Sequence, residues 1–289
     1  MAYNEEANIQ HLLASLVSQQ TSSVHITEII VVASGCTDRT TQIVEQWAAR
    51  EPRIRLLVQP SREGKASAIN YFLQEACEKV VVLCGADLLP VGSAIEQLVA
   101  PFANSEVGMT TARPVPVNEP NTLMGFAAQM LWRLHHEINL LSFKAGELIA
   151  FRKIFQRIPY DTVVDEASLE PVIRGQGFAA RYVPTAVVYN KGPETVKDFL
   201  SQRRRIYRGH LAVRNTLGYS VSTMNGRRVF WLVLRNLDWR LRPFIWTWAV
   251  IGLEVYGRWL GRRDYKTRLT RGVWEVAKTT KQLKVKASA

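Results

Sequence analysis

Short β-branched runs alternate with helical hydrophobic patterns along the chain, and this alternation constrains the fold more than any other feature of the sequence. Apolar residues spaced three and four apart mark helices, and continuous β-branched runs mark buried strands. In chain order, the first hundred residues carry these patterns at 7–20 (helix), 28–33 (strand), 39–50 (helix), 54–58 (strand), 65–78 (helix), 80–84 (strand) and 91–103 (helix). Such alternation predicts an α/β fold with a mostly parallel sheet flanked by helices.

The later part of the chain extends the pattern less regularly. It predicts helices at 121–141, 168–175 and 196–207, and short strands at 147–151, 182–184 and 186–189. The start of the chain is abrupt, because only a few residues precede the first helix where a whole strand is expected. We therefore expect the first strand to be incomplete in this sequence and the native chain to start upstream of Met1.

The charge of the chain is unevenly divided. Residues 1–200 hold 17 Lys and Arg against 21 Asp and Glu, a balance of −4, whereas residues 201–289 hold 20 against 4, a balance of +16. Six of the eight Trp residues also lie after residue 200. This division predicts one domain over residues 1–210 and a basic, Trp-rich helical segment over residues 211–289.

The basic segment is open to three interpretations: it binds nucleic acid, it binds anionic lipid, or it forms a solvated basic face. An apolar run with Trp and Tyr at residues 243–260, flanked by arginines, favours lipid, because these residues suit the headgroup boundary. The run is short for a membrane span, and Glu254 and Arg258 interrupt it. We predict amphipathic helices that lie in the interface of an anionic membrane surface, and no nucleic-acid partner.

Two polar clusters directly follow predicted strands, at residues 33–38 and 85–87. In open α/β sheets the ligand crevice lies outside the carboxyl ends of the strands, so we expect both clusters to border one site. The motifs in chain order are Ala2-Tyr3-Asn4-Glu5-Glu6, Val31-Val32-Ala33-Ser34-Gly35-Cys36-Thr37-Asp38, Gly64-Lys65-Ala66, Ala86-Asp87, Gly146-Glu147-Leu148-Ile149-Ala150-Phe151-Arg152, Asp165-Glu166 and Gln202-Arg203-Arg204-Arg205. Over about residues 1–210 this series resembles family 2 glycosyltransferases, which implies the GT-A nucleotide-sugar fold.

The resemblance implies a nucleotide-sugar donor. The donor-binding residues it implies are Tyr3, Asn4, Glu5, Ser34, Lys65, Ala86, Asp87 and Arg152. Asp87 matches the second acid of the family's Asp-x-Asp motif, which implies that it binds Mg²⁺ or Mn²⁺; the alternative is a turn aspartate. Gly85 replaces the first acid of that motif, and Ser34 stands where many members carry an aspartate that contacts the base.

Asp165 and Glu166 are the implied catalytic pair. Inverting transfer needs a base that takes the proton of the attacking hydroxyl, and Glu166 falls on the position of the family's base. The alternative is an ordinary pair of acids at a helix start. Gln202, Arg204 and Arg205 resemble part of the Gln-x-x-Arg-Trp signature, which implies contacts with acceptor and diphosphate. The tryptophan of that signature is replaced by Ile206, so transfer of a single sugar is favoured over polymerisation.

These observations predict an inverting glycosyltransferase that uses a lipid-linked or membrane-proximal acceptor at the cytoplasmic face of a membrane. The cytosolic location follows from three cysteines without metal or disulfide spacing and from the absence of a visible secretory signal peptide. Two alternatives stay open: an inactive protein of the same fold that binds nucleotide or anionic lipid, and a nucleotidyltransferase. The nucleotidyltransferase is disfavoured because the chain lacks a Gly-rich phosphate loop near its start.

Overall fold

The structure is a computed structural model, and it describes residues 1–158, 165–267, 278–280 and 283, without the side chains of residues 165–167 and 278. The α-helices are α1 (Ile9–Val17), α2 (Thr40–Ala48), α3 (Lys65–Glu75), α4 (Ala94–Val99), α5 (Leu123–Leu141), α6 (Asp165–Gly175), α7 (Val196–Leu217), α8 (Gly226–Arg235) and α9 (Leu241–Lys266). The strands are β1 (Ile29–Ser34), β2 (Ile54–Gln59), β3 (Val80–Leu83), β4 (Leu89–Pro90), β5 (Val107–Pro116), β6 (Ile149–Arg152) and β7 (Ala179–Asn190). Each predicted helix has a counterpart, as does each predicted strand, except that the two strands predicted at 182–184 and 186–189 form the single strand β7.

The sheet is mixed, which corrects the prediction of a mostly parallel one. β1 pairs with β2 and β5 with β7 in parallel, whereas β6 runs antiparallel to both β3 and β5, and β4 antiparallel to β7. The parallel strand–helix alternation therefore holds for the first part of the chain only. The order of the larger sheet is β3-β6-β5-β7-β4. Because β6 is antiparallel to β3, its last residue lies beside the first residue of β3.

Met1 and Ala2 join the two sheets. The amide of Ala2 donates to the Val32 carbonyl at 2.8 Å, and the Ala2 carbonyl accepts from Ser34 at 3.0 Å. On the other side, the Met1 amino group donates to the Cys84 carbonyl at 3.2 Å. These residues thus lie between β1 and β3, and the next residue, Tyr3, reaches the edge of the sheet where both strands end.

β5 is the long strand that the sequence did not predict. Two prolines within it, Pro114 and Pro116, argue against a central strand because proline cannot donate to a ladder. The Ala112 amide donates to the Leu148 carbonyl, so every second amide along β5 faces the β6 side. β6 pairs with β5 only up to Thr111. Pro114 and Pro116 therefore lie beyond the end of the β6 pairing, where β5 has no backbone N–H to donate to β6.

The C-terminal helices pack on the sheet domain and on each other. The predicted domain boundary at residue 210 falls inside α7, which continues to Leu217. Gly257 and Gly261 of α9 lie against α7, so close that a Cβ at Gly261 would stand 2.6 Å from the Arg204 carbonyl oxygen. In the part of the chain that the structure describes, no helix is both long and apolar enough to cross a membrane.

Candidate functional site

A cavity of about 970 Å³ opens at the edge where β1 and β3 end, and it continues between α5, α7, α8 and α9. Its volume lies at the upper end of the roughly 300–1,000 Å³ that is usual for small-molecule sites. Eight predicted site residues line it: Tyr3, Glu5, Ser34, Lys65, Ala86, Asp87, Gln202 and Arg205. The structure thus brings together residues that are up to about 200 positions apart in the chain.

Tyr3, Ser34 and Arg62 form the wall beside β1. The Arg62 guanidinium carbon lies 4.1 Å from the centre of the Tyr3 ring, a cation–π contact. The Ser34 hydroxyl donates to the Ser61 carbonyl at 3.3 Å and so ties the loop to β1. Gly35 has φ +62°, and a Cβ there would stand 2.4 Å from the Arg62 nitrogen, so this approach requires glycine. The result is a flat aromatic and cationic surface suited to a nucleotide.

Lys65 and Asp87 both line the cavity wall, Lys65 at the start of α3 and Asp87 after β3. Lys65 is the first residue of α3, where the backbone N–H groups of the first turn favour an anion. A Cβ at Gly85 would stand 2.6 Å from Oδ1 of Asp87, so the Asp87 carboxylate occupies the space beside Gly85. A cation and a carboxylate thus share the cavity wall, the groups that a diphosphate and its metal ion require.

Glu147 is a cavity-lining acid that was not assigned a role from the sequence. It precedes β6, and its Oε2 accepts a hydrogen bond of 2.9 Å from Asn190 Nδ2 at the end of β7. Its position inside the Gly146-Glu147-Leu148 motif was the available signal. The negative charges of Asp87 and Glu147 act on the nearby Cys84, but burial is the main reason that the pKa of this thiol rises to about 12. Cys84 is therefore a neutral thiol at physiological pH.

A junction of charged residues divides the cavity into two halves. Arg203 of α7 faces Glu254 of α9, with Arg203 Nε 3.8 Å from Glu254 Oε2. Arg258 Nε donates to Glu254 Oε1 at 2.8 Å. Arg203 Nε and Glu254 Oε2 are both buried, and neither makes a hydrogen bond within the described part of the chain. The sequence hypothesis treated Glu254 and Arg258 as interruptions of an apolar run, whereas both line the cavity.

Beyond this junction the cavity wall is mostly apolar, although His135 of α5 also lines it. We call this half the apolar chamber and define it by Leu131, Leu134 and Ile138 of α5, Val229 and Val233 of α8, and Ile251 of α9.

Three predicted site residues do not line the cavity. Asn4 has φ 51° and accepts from the Thr37 amide at 2.8 Å, so it fixes the turn after β1. Arg152 pairs with Val80 at the opposite edge of the sheet, because β6 is antiparallel to β3, and it donates to the carbonyls of Val107 and Phe102.

Arg204 is the third of these residues. It points from α7 toward α9 and forms a bidentate ion pair with Asp264, whose side chain is 6% exposed. The positive charge of Arg204, which the sequence analysis assigned to the diphosphate, is therefore paired with Asp264 in the contact between α7 and α9.

The catalytic pair predicted from the sequence is not tested by the geometry. The backbone of α6 begins at Asp165, but the side chains of Asp165 and Glu166 lie outside the described residues. Their assignment as base and partner stays a prediction.

Two histidines at the cavity are neutral. Burial lowers the pKa of His135 and of His210 well below their ordinary value, and the positive charge of Lys144 adds to the effect at both. His135 is a buried residue of α5, and its backbone carbonyl accepts a hydrogen bond of 3.1 Å from Asn139 Nδ2. Neither histidine carries a charge toward a ligand at neutral pH.

A divalent cation fits the donor side of the cavity in one way. Among the described residues, no three His, Cys, Asp or Glu side chains form a ready-made metal cluster. Mg²⁺ often binds through one or two carboxylates and completes its shell with substrate phosphates and water. The carboxylate of Asp87 at the cavity wall would meet that requirement once a diphosphate is present.

Comparison with known proteins identifies the class. The sequence model described as glycosyl transferase family 2 matches residues 1–172, so the chain belongs to this family. It is 25% identical over 228 residues to the probable glycosyltransferase YdaM of Bacillus subtilis, covering 72% of this chain and 53% of that protein. It is 35% identical over 91 residues to the dolichyl-phosphate beta-glucosyltransferase ALG5C of Trichomonas vaginalis, covering 30% of this chain and 27% of that protein. The chain thus spans about half or less of the length of these curated relatives.

A solved structure shares the fold. The mannosyltransferase PcManGT of Pyrobaculum calidifontis, determined in complex with GDP-Man and Mn²⁺, superposes with a TM-score of 0.65 and 20% identity. The match covers 93% of this chain and 86% of that one. The likeness confirms the GT-A fold.

Proposed function

We propose that the chain is an inverting glycosyltransferase that moves a sugar from a nucleotide-sugar donor to a lipid-linked acceptor at the cytoplasmic face of a membrane. The observation that carries this proposal is the continuity of the cavity, which has Asp87 and Lys65 at one end and the apolar chamber at the other. A polar donor and an apolar acceptor can therefore meet in one space. Two similar proteins, a mannosyltransferase determined in complex with GDP-Man and a dolichyl-phosphate beta-glucosyltransferase, support both halves of this assignment.

The donor half would hold the nucleotide sugar through three contacts. The base would lie against Tyr3 and Arg62, and the diphosphate at Lys65 and the start of α3. Asp87 would bind Mg²⁺ or Mn²⁺ together with the diphosphate oxygens, and this ion, when bound, offsets the charge that grows on the leaving group. Lys65 opposes the same negative charge from the protein side.

The chemical step would require a base on the acceptor side. We assign Glu166 as the base that takes the proton of the attacking hydroxyl, with Asp165 as its partner, since two adjacent carboxylates raise the pKa of one of them. Gln202 and Arg205 line the cavity from α7 and would orient the acceptor and the diphosphate. Attack on the face of the sugar opposite the diphosphate gives inversion.

The exposed surface of α8 and α9 supports a membrane-facing role. Large apolar side chains on α8, on α9 and in the segment between them remain exposed, including Trp231 at 63%, Trp239 at 79% and Trp259 at 54%. Glu254 and Arg258 turn toward the cavity and so leave this outer face apolar and aromatic. Arginines border it, and together they suit the headgroup region of an anionic membrane.

A donor panel tests the proposed reaction. The protein with Mn²⁺ and membrane lipids should release nucleoside diphosphate from a nucleotide sugar, and Asp87→Ala or Glu166→Gln should abolish this release. Glu45→Gln, on the exposed face of α2, is the matched control and should leave the rate unchanged. Absence of turnover with every donor would refute the enzymatic proposal and favour a silent nucleotide binder.

Flotation with vesicles tests the membrane proposal separately. The full chain should bind phosphatidylglycerol vesicles and bind phosphatidylcholine vesicles less. Replacing Trp231, Trp239 and Trp259 by Ser should reduce binding at least about tenfold, because each removes an apolar anchor. Val58→Ser, an exposed apolar residue of β2, is the control that should bind as before. Equal binding by all variants would contradict this surface assignment.

A further inference from the structure

A second space, of about 690 Å³, lies between α5, the turn that joins α8 to α9, and the start of α9. We call it the turn groove and define it by its charged residues Arg133, Asp238, Arg240 and Arg242 and its apolar residues Phe126, Met130, Val233 and Trp246. Met130 and Val233 also line the main cavity, so the groove adjoins the apolar chamber. None of the four charged residues lines the main cavity, and the reaction proposed above does not use them.

Asp238 is the one acid among the described residues that line the groove, and Arg240 neutralises it. Arg240 Nε donates to both carboxylate oxygens of Asp238 at 3.0 Å, and the Arg240 amide donates to Oδ1 at 3.0 Å. The side-chain hydrogen bonds from Arg240 are the main reason that the pKa of Asp238 falls to about 2, and the positive charge of Arg133 adds to the effect. The charges that remain in the groove are therefore those of Arg133 and Arg242.

Arg242 holds its charge beside the apolar part of the groove. Its Nη2 donates to the Asn121 carbonyl at 2.6 Å, and its guanidinium carbon lies 4.2 Å from the centre of the Trp246 ring. These contacts orient the guanidinium without neutralising it, because a carbonyl and a ring carry no net charge. Phe126 lies edge-on to Trp246, with 5.7 Å between the ring centroids. The groove thus presents an oriented cation next to an aromatic surface.

Arg133 is the second cation, and its side chain is exposed. It makes no hydrogen bond, ion pair or ring contact with any residue that the structure describes. Glu137, one turn further along α5, accepts a hydrogen bond of 2.9 Å from Asn236 instead, and it does not line the groove. Glu119 likewise accepts from the Asn121 side chain at 3.3 Å and lies outside the groove lining. An anion can therefore bind Arg133 without breaking an ion pair within the described residues.

The groove lies beside strongly exposed apolar side chains. Trp239 and Leu241, on either side of Arg240 in the turn, are 79% and 77% exposed, the highest values among the large apolar residues described. In a membrane-bound protein such side chains enter the boundary between head groups and hydrocarbon, where the phosphates of the lipids also lie. The two cations of the groove would then face that layer of phosphates.

We propose that the turn groove binds the head group of one anionic phospholipid, with its phosphate at Arg133 and Arg242 and the adjoining acyl carbons against Phe126 and Trp246. This assignment rests on the membrane-facing role proposed above and names its partner. A phosphate accepts charge-assisted hydrogen bonds from guanidinium groups. A zwitterionic head group would bring its own cation close to the same two arginines, so charge complementarity selects a lipid with a net negative charge.

Calorimetry with short-chain lipids, below the concentration at which they form micelles, tests the groove without a bilayer. The full chain should bind dihexanoyl phosphatidylglycerol at least about fivefold more tightly than dihexanoyl phosphatidylcholine, as expected for about one favourable charge contact. Inorganic phosphate and glycerol 3-phosphate, which lack acyl chains, should bind more weakly than dihexanoyl phosphatidylglycerol. Equal affinity for the two lipids would overturn the proposal. Inorganic phosphate bound as tightly as the anionic lipid would also overturn it, because the ligand would then be free phosphate.

Single arginine variants locate the binding site. Arg133→Gln and Arg242→Gln should each weaken the binding of dihexanoyl phosphatidylglycerol about fivefold. Arg133→Gln is the sharper of the two, because Arg133 has no hydrogen bond or ion pair with a described residue that its loss could break. Arg227→Gln is the matched control, since it removes the same charge from an exposed position of α8 that does not line the groove. This control should bind the lipid as the wild-type chain does.

The outcomes distinguish the groove from the membrane role on which it rests. If folded Arg133→Gln and Arg242→Gln bind dihexanoyl phosphatidylglycerol as tightly as Arg227→Gln does, the lipid binds elsewhere. That result overturns the proposal even if the full chain floats with vesicles. If both variants lose affinity while the wild-type chain does not float with vesicles, the groove is supported and the membrane-facing role of the aromatic surface fails.

Discussion

Two glycines of α9 provide a paired test of how the C-terminal helices are held. Gly261 lies against α7, where a Cβ would stand 2.6 Å from the Arg204 carbonyl oxygen and 3.2 Å from the Tyr207 Cβ. Gly252 lies on the same helix with no atom within 4 Å of an added Cβ. Both positions gain the same helix propensity when glycine becomes alanine, so any difference between the two variants reports the contact with α7.

The expected free energies follow from these distances. Alanine in a helix interior is favoured over glycine by about 1 kcal/mol, so Gly252→Ala should raise the free energy of unfolding by about that amount. At Gly261 the same gain is opposed by overpacking against rigid backbone, which costs about 1–3 kcal/mol. Gly261→Ala should therefore be less stable than Gly252→Ala by about 1–3 kcal/mol.

Urea denaturation of the two variants and the wild-type chain measures this difference, with unchanged slopes showing that the unfolded state is the same. Gly257→Ala, where a Cβ would stand 2.7 Å from the Arg203 Cβ, should behave like Gly261→Ala. If Gly261→Ala stabilises the protein as much as Gly252→Ala does, α9 does not pack on α7 as described, and the junction between Arg203 and Glu254 loses its structural basis.

Three further predictions concern single residues. Arg62→Ala should weaken nucleoside binding about two- to fivefold in calorimetry by removing the cation–π contact with Tyr3, and an unchanged affinity would count against this base pocket. Gly85→Ala should raise the Mn²⁺ concentration needed for donor binding about tenfold by displacing the Asp87 carboxylate, and an unchanged requirement would argue against it as ligand. Because burial lowers the pKa of His210, only the unfolded chain takes up its proton at mildly acidic pH, so stability should fall as the pH drops below about 6.5. His210→Gln should reduce that slope by up to about 1.4 kcal/mol per pH unit in urea titrations, and an unaltered slope would contradict the buried neutral state.

The sequence predicted the elements of the fold better than their directions. The spacing of apolar residues located the helices and most strands, because an element that buries one face carries apolar residues at the period of that element. The periodicity did not predict β5, because Pro114 and Pro116 argue against a strand. They are tolerated because β6 does not pair with this part of β5. The direction of β6 is set by tertiary pairing with β3 and β5, and no local pattern records it. Arg152, predicted to bind the donor, therefore lies beside the first residue of β3 and does not line the cavity.

The site was predictable where a residue's role depends on its position after a strand or at a helix start. Lys65 and Asp87 are of this kind, and both line the cavity. Roles that depend on a partner far along the chain were not predictable. Arg204 forms an ion pair with Asp264, which lies 60 residues later in the chain. Arg203 lines the cavity and faces Glu254. Glu254 and Arg258 are visible in the sequence as charges within an apolar run, but only the packing of α9 on α7 shows that they face the cavity.

The central claim is that the wall at Asp87 binds a diphosphate through a divalent cation. Calorimetric titration of nucleoside diphosphates into the wild-type chain and into Asp87→Asn, each with and without Mn²⁺, tests it most directly. We expect Mn²⁺ to tighten binding by the wild-type chain at least about tenfold and to have little effect on Asp87→Asn, because the cation needs the carboxylate oxygen. An equal gain from Mn²⁺ in both proteins would contradict the claim.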